Sequence, residues 1–367
     1  MDPFAGSGTT LLAAENVGLE SVGVEAHPFV FRIASAKLLR RSSPDDYLKL
    51  VRAVRTRAAR SVMAPPKYPK LIRKCYTPEA LAKLHALRVA LDESHDESAA
   101  WHLVWLTLAG ILRLTSCVGT AQWQYVLPKK EKKRTLDAFD AFDALAQTIA
   151  RDMRISGGQP LGRPTRVILG DARTCEGIPD GFADLVLTSP PYPNNYDYAD
   201  ATRLEMSFFG EIGGWGDLQS KVRQHLVRSC SQHVPPGRVD LEAKLRSDEL
   251  APIRSAISEV CHRLARIRLT KGGKKTYHLM VACYFRDLAQ VWRALRRVCA
   301  PRARVCFVVG DSAPYGVYVP VMEWLERLAV AAGFGNARFE KTRDRNVKWR
   351  NRKHRVPLCE GRLWVHG

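Results

Sequence analysis

The sequence predicts an α/β fold, a doubly wound sheet with a helical insertion after its second strand. Three observations lead there. A glycine-rich turn opens the chain and runs into a helix and a short apolar strand. Helical periodicity then takes over for residues 31–160, and from about 165 short apolar runs alternate with helices again.

The opening turn is Asp2-Pro3-Phe4-Ala5-Gly6-Ser7-Gly8-Thr9-Thr10, followed by a helix over 11–17 that Gly18 can end and a strand over 21–25. Turn, helix and strand in that order are typical of a nucleotide-type α/β unit. Thr77 and Pro78 read as the N-cap and first position of a helix carrying Leu81, Leu84, Leu87 and Leu91. A second apolar helix is expected over 101–114, then an irregular stretch and the basic run Lys129-Lys130-Glu131-Lys132-Lys133-Arg134. Gly157, Gly158, Pro160, Gly162 and Pro164 mark a connector back to the sheet.

Strands resume at 167–169, before Gly170-Asp171, and at 183–188, before Ser189-Pro190-Pro191-Tyr192. Both are short apolar runs, as buried parallel strands should be. Residues 210–275 are polar and poorly periodic. Beyond them come a helix over 286–299, a strand over 304–309, a helix over 319–332 closed by Gly333, and a terminal hairpin of 337–341 with 362–366. The expected organisation is a sheet-forming start at 1–30, a helical insertion at 31–160, and a sheet-forming remainder at 161–367 with a variable segment at 211–275.

Composition narrows the partners. Lys and Arg number 57 against 37 Asp and Glu, a formal charge of +20 over 367 residues. Such an excess favours a polyanion, because neutralising phosphates releases condensed counterions. No apolar run reaches the roughly 18 residues that span a bilayer, and no signal-peptide pattern opens the chain. Nine cysteines without a Cys-x-x-Cys pair indicate neither a zinc site nor a disulfide framework, so the default location is the reducing cytoplasm.

The chemistry concentrates at the ends of predicted strands, where open α/β sheets bind ligands. Gly6 and Gly8 let the backbone pass close to a ligand, and the turn lacks the lysine of a phosphate-cradling loop. Glu25 and Asp171 end the next two strands, placed to accept hydrogen bonds from ribose hydroxyls or an adenine amino group. Asp171 is equally suited to capping a helix. Together with the glycine turn they favour an adenosyl pocket. In the second motif two prolines stiffen the backbone around Ser189 and Tyr192. The Ser189 hydroxyl and the Pro190 carbonyl can accept from an exocyclic amine, while Tyr192 offers a stacking face.

These two motifs resemble those of the amino-methylating, S-adenosylmethionine-dependent DNA methyltransferases. Asp2 to Thr10 resembles their donor motif and Ser189-Pro190-Pro191-Tyr192 their catalytic motif, in the unpermuted order. The resemblance covers roughly 1–30 and 165–340. It implies a Rossmann-like methyltransferase sheet with donor contacts at Asp2, Phe4, Gly6, Gly8, Thr9, Glu25 and Asp171. It also implies direct methyl transfer to a flipped base. The serine form of the catalytic motif is more typical of cytosine-N4 enzymes than of adenine-N6 enzymes. An adenine-N6 enzyme, an RNA guanine-N2 enzyme and a non-catalytic nucleic-acid-binding subunit of the same fold remain alternatives.

Asn194 and Tyr196 extend the catalytic loop and suit an extruded base, although a polar turn accounts for them equally well. The basic stretch 341–355, with Trp349 among Arg350, Arg352 and Lys353, is the favoured phosphate contact. A restriction endonuclease is a conceivable partner. In this fold a central strand should lead into Asp2, yet only Met1 precedes it. The expectation is therefore a truncated or late-start chain, or one half of a split enzyme that binds donor weakly alone.

Overall fold

The computed structural model describes residues 1–120, 126–157, 164–234, 237, 239–345 and 356–367. The chain is mixed α/β. Helix α1 (Thr9–Asn16), strand β1 (Ser21–Glu25) and helix α2 (Pro28–Leu38) come first. A helical stretch follows: α3 (Pro44–Arg60), α4 (Lys70–Cys75), α5 (Pro78–Asp92), α6 (Ala99–Thr115) and α7 (Ala138–Gly157). Local chemistry sets its boundaries. The Ser43, Thr77 and Ser98 hydroxyls accept the backbone N–H of Asp46, Ala80 and Trp101, each an N-cap on an otherwise orphaned donor.

The stretch is not wholly helical. Strands β2 (Val118–Thr120) and β3 (Val126–Glu131) pair antiparallel, so half of the basic run 129–134 lies on a strand. So short a ribbon offers too few residues for alternating burial to show in sequence, and it reads there as irregular.

Strands β4 (Thr165–Leu169) and β5 (Ala183–Thr188) precede the short helices α8 (Tyr198–Ala201) and α9 (Arg203–Phe209). The polar region after them is more structured than its composition suggests. It contains α10 (Leu241–Leu245) and the long α11 (Arg254–Thr270), which buries Ile257, Cys261 and Leu264 against the sheet-side core. Helix α12 (Tyr277–Val298) begins well before the predicted 286. Strand β6 (Cys299–Gly310), helix α13 (Val321–Ala331) and the antiparallel pair β7 (Ala337–Arg345) and β8 (Leu358–His366) complete the chain.

Strands β1 and β4 run parallel, as do β5 and β6, while β8 lies antiparallel between β6 and β7. The first two residues stand between the pairs. Asp2 N–H donates to Val22 O at 3.0 Å and Val24 N–H to Asp2 O at 2.9 Å. On the other side the Met1 ammonium donates to Leu185 O at 2.8 Å and Leu187 N–H to Met1 O at 3.1 Å. Met1 and Asp2 thus occupy a strand position and bond to both neighbours. Among the described residues β1 is the strand buried almost throughout. The edge strand β4 is half exposed, with Leu169 open to solvent, because one of its sides has no strand partner among the described residues.

Two cores result. One packs α11, α12 and α13 on the sheet, with the Trp292 and Phe307 rings stacked 4.3 Å apart. The other lies among the helices of the first half and also takes in Leu204, Met206 and Phe208 of α9. The loop after β5 therefore crosses from one core to the other. Among the described residues no helix is long and apolar enough to cross a membrane.

Candidate functional site

A cavity of about 590 Å³ opens where the two cores meet. That size suits a small-molecule ligand. Its wall carries Phe4, Gly6, Glu25, Asp171, Ser189, Pro191 and Tyr196 of the residues expected from sequence. Residues as distant in the chain as Phe4 and Tyr196 are brought together because the ends of β1, β4 and β5 all face this space.

The turn is built by its glycines. Gly6 and Gly8 have φ of +53° and +85°, left-handed values that cost any residue with a Cβ. Gly8 is buried, and a Cβ there would come within 3.4 Å of the Ala34 side chain. Gly23 in β1 is a further requirement that sequence reading passed over. A Cβ on it would sit 2.7 Å from the Ala5 Cβ and 2.8 Å from Leu11.

Three carboxylates surround the turn, each in a different situation. Glu25 accepts from the backbone N–H groups of Gly6 and His27, both at 2.8 Å, one on each oxygen. Each oxygen keeps a further acceptor site. Burial pushes this carboxyl up to about 7, and the two N–H groups offset only part of that. Asp2 is buried beneath the wall, where its Oδ1 accepts the Thr188 hydroxyl at 2.6 Å and the Phe4 N–H at 3.0 Å. It fastens the start of the chain to the end of β5 and does not line the cavity. Asp171 lines the cavity but is clasped by Arg173, whose Nε lies 2.8 and 2.9 Å from its two oxygens.

The catalytic-type motif divides likewise. Ser189 is exposed on the wall, with its hydroxyl 3.3 Å from Val308 O, and Pro191 is beside it. Pro190 is buried, and Tyr192 stands off the wall under the Arg345 guanidinium, 5.1 Å from the ring centre. Burial raises the Tyr192 phenol above its usual range. Asn194 is also off the wall. Its side-chain oxygen accepts the Tyr196 N–H at 3.2 Å, which shapes the loop that presents Tyr196. Gly8 and Thr9 do not line the cavity either. Trp349, Arg350, Arg352 and Lys353 lie outside the described residues.

Several wall residues carry no local sequence signal. His27 is 2 % exposed and its Nε2 lies 2.8 Å from the Thr202 hydroxyl, which itself donates to Ala199 O. Burial pushes the imidazole down to about 4, so it is neutral. Arg113 of α6 pairs with Glu205 of α9, with Nη2 3.0 Å from Oε2, and also donates to Ala201 O. Tyr198 meets Tyr196 edge to face at 4.6 Å.

Behind the loop, Asp197, Cys230 and His233 place ligand-type atoms within 4.8 Å of one another. Arg223 already supplies positive charge there, 2.7 Å from Asp197, and burial pushes the Cys230 thiol up to about 12. The group is a clasp on the loop. Burial alone would raise the Asp197 carboxyl, but the His233 and Arg223 hydrogen bonds outweigh it and hold it at about 2.

No family model matches the chain, and no solved structure matches it. Curated relatives do. The chain is 23% identical over 380 residues to the type II methyltransferase M.BsoBI of Geobacillus stearothermophilus, covering 91% of this chain and 72% of that protein. It is 24% identical over 364 residues to the type II methyltransferases M.AvaI of Nostoc sp. and of Anabaena variabilis, with the same coverage. This similarity extends through the helical stretch that the motifs left unexplained, and it supports a DNA methyltransferase family.

Proposed function

We propose that the chain is a site-specific DNA methyltransferase that uses S-adenosylmethionine and methylates an exocyclic amine, cytosine N4, on a base flipped from the duplex. One observation carries the reading: the glycine turn with Glu25 and the loop bearing Ser189 and Pro191 share the wall of one cavity. Gly6, Phe4, Glu25 and Asp171 fit an adenosyl group. Glu25 retains acceptor capacity beside the turn, and the cavity is large enough for donor and base to meet. When bound, the donor supplies an electrophilic methyl group on sulfonium. Ser189 and the Pro190 carbonyl would accept the N–H groups of the incoming amine and orient its lone pair. Tyr196 would hold the base by stacking, with Tyr192 bracing the catalytic loop and Asn194 shaping it. Asp2, Gly8 and Thr9 would act through the turn.

The strand series β4, β1, Met1–Asp2, β5, β6, β8, β7 supports a doubly wound, Rossmann-like sheet. The two cores support a division into 1–30, 31–160 and 161–367. The segment around Trp349, Arg350, Arg352 and Lys353 would contact phosphates. The type II names of the relatives favour modification alongside a restriction endonuclease, and the reducing cytoplasm stays the proposed location. Nucleoside analysis by mass spectrometry, after incubating chain, donor and sheared genomic DNA, tests the reading. N4-methylcytosine is expected. N6-methyladenine would replace the target base, and absence of any methylated nucleoside would overturn the activity.

A further inference from the structure

We infer that Trp215 is a stacking contact for an unpaired nucleobase beside the cavity mouth; the inference rests on the proposed DNA substrate. Trp215 sits among Gly213, Gly214 and Gly216 with 46% of its surface exposed. A single exposed indole is ordinary on a protein surface. Yet this ring is held. The Arg223 guanidinium lies 4.5 Å from its centre and that of Arg203 4.8 Å.

Both arginines are themselves fixed to the loop whose neighbouring residues line the cavity. Arg223 is 3% exposed and pairs with Asp197 at 2.7 Å, and Arg203 pairs with Asp200 at 2.9 Å. Asp197 caps α8 by accepting the N–H groups of Ala199 and Asp200. That short helix starts with Tyr198, and Tyr198, Ala201 and Thr202 line the cavity. The Asp217 carboxylate also accepts the Gly213 N–H at 2.7 Å, closing the turn that carries the tryptophan. Trp215 is therefore a positioned, solvent-facing aromatic held by two arginines to the loop that lines the proposed base site. Aromatic rings set among arginines are what proteins use to stack bases while attracting the backbone.

The bland role, shielding the Arg223 ion pair from water, predicts a different result. The test compares fluorescein-labelled oligothymidylate with an abasic deoxyribose-phosphate strand of equal length, by anisotropy. Trp215→Ala should lose about tenfold or more in affinity for oligothymidylate and little for the abasic strand, while Trp215→Phe keeps most of it. Equal losses on both strands, no loss, or no binding of oligothymidylate by the parent would overturn the inference. Methylation of sheared genomic DNA by the parent, run in parallel, reports on the proposed function separately. A parent that stacks bases without methylating would sink that function and leave this contact standing.

Discussion

Asp2 accepts the hydroxyl of Thr188 at 2.6 Å, 186 positions away, in a fully buried setting. The bond ties the residue that opens the glycine turn to the residue that immediately precedes Ser189. The two motifs are thereby held in one register. Thr188→Val keeps the shape but leaves a buried carboxyl without this donor, at a cost of about 1 to 3 kcal/mol. Thermal unfolding should record the loss, and single-turnover methylation should slow by more than donor affinity falls. Unchanged stability would remove the bond from any structural role.

Donor affinity should depend on both acids of the wall. Above pH 7, where the Glu25 carboxyl is ionised, Glu25→Ala and Asp171→Ala each remove a charged acceptor, which costs about 1.5 to 3 kcal/mol, roughly ten- to a hundredfold in affinity. Calorimetry with S-adenosylmethionine measures it. The Asp171 effect should be the smaller, since Arg173 already takes up part of its acceptor capacity. If both variants bind like the parent, the donor site lies elsewhere.

Ser189→Ala and Tyr192→Ala should suppress turnover far more than donor binding. Ser189 lines the cavity at the end of β5 with its hydroxyl on Val308 O, and Tyr192 stands off the wall on the same loop, under the Arg345 guanidinium. A parallel fall in donor affinity would point to a folding defect.

His27 predicts a pH dependence of stability. Its imidazole is pushed from the ordinary value of 6.5 down to about 4, chiefly by burial. The neutral ring stabilises the fold above about pH 6.5, and that contribution is lost as pH falls through 4. The shift corresponds to about 3 kcal/mol. Replacing it, His27→Gln, should flatten the decline of unfolding free energy between pH 6.5 and 4, measured by denaturant titration. A decline as steep as the parent's would place the acid sensitivity in other groups.

Replacing Arg350, Arg352 and Lys353 with Ala should weaken DNA binding and flatten its salt dependence, by just under one unit of slope for each phosphate that the chain ceases to neutralise. Donor affinity should not move. An unaltered slope would make this segment ordinary solvated charge.

The sequence by itself determined the α/β class, β1 and β5 to the residue, the capped start of α5 and both motifs. Periodicity, caps and glycine turns are short-range, so they are written within a few neighbouring residues. It misjudged 210–275, where α11 buries only one narrow face and little apolar patterning shows. Tertiary structure alone decided that Asp2 is a buried fastener, that Asp171 is shared with Arg173, and that His27, Arg113, Glu205 and Arg223 surround the cavity and its loop. Most of those pairings join residues tens of positions apart. They are fixed by which buried polar groups can satisfy one another once the two cores close, and no local pattern encodes that.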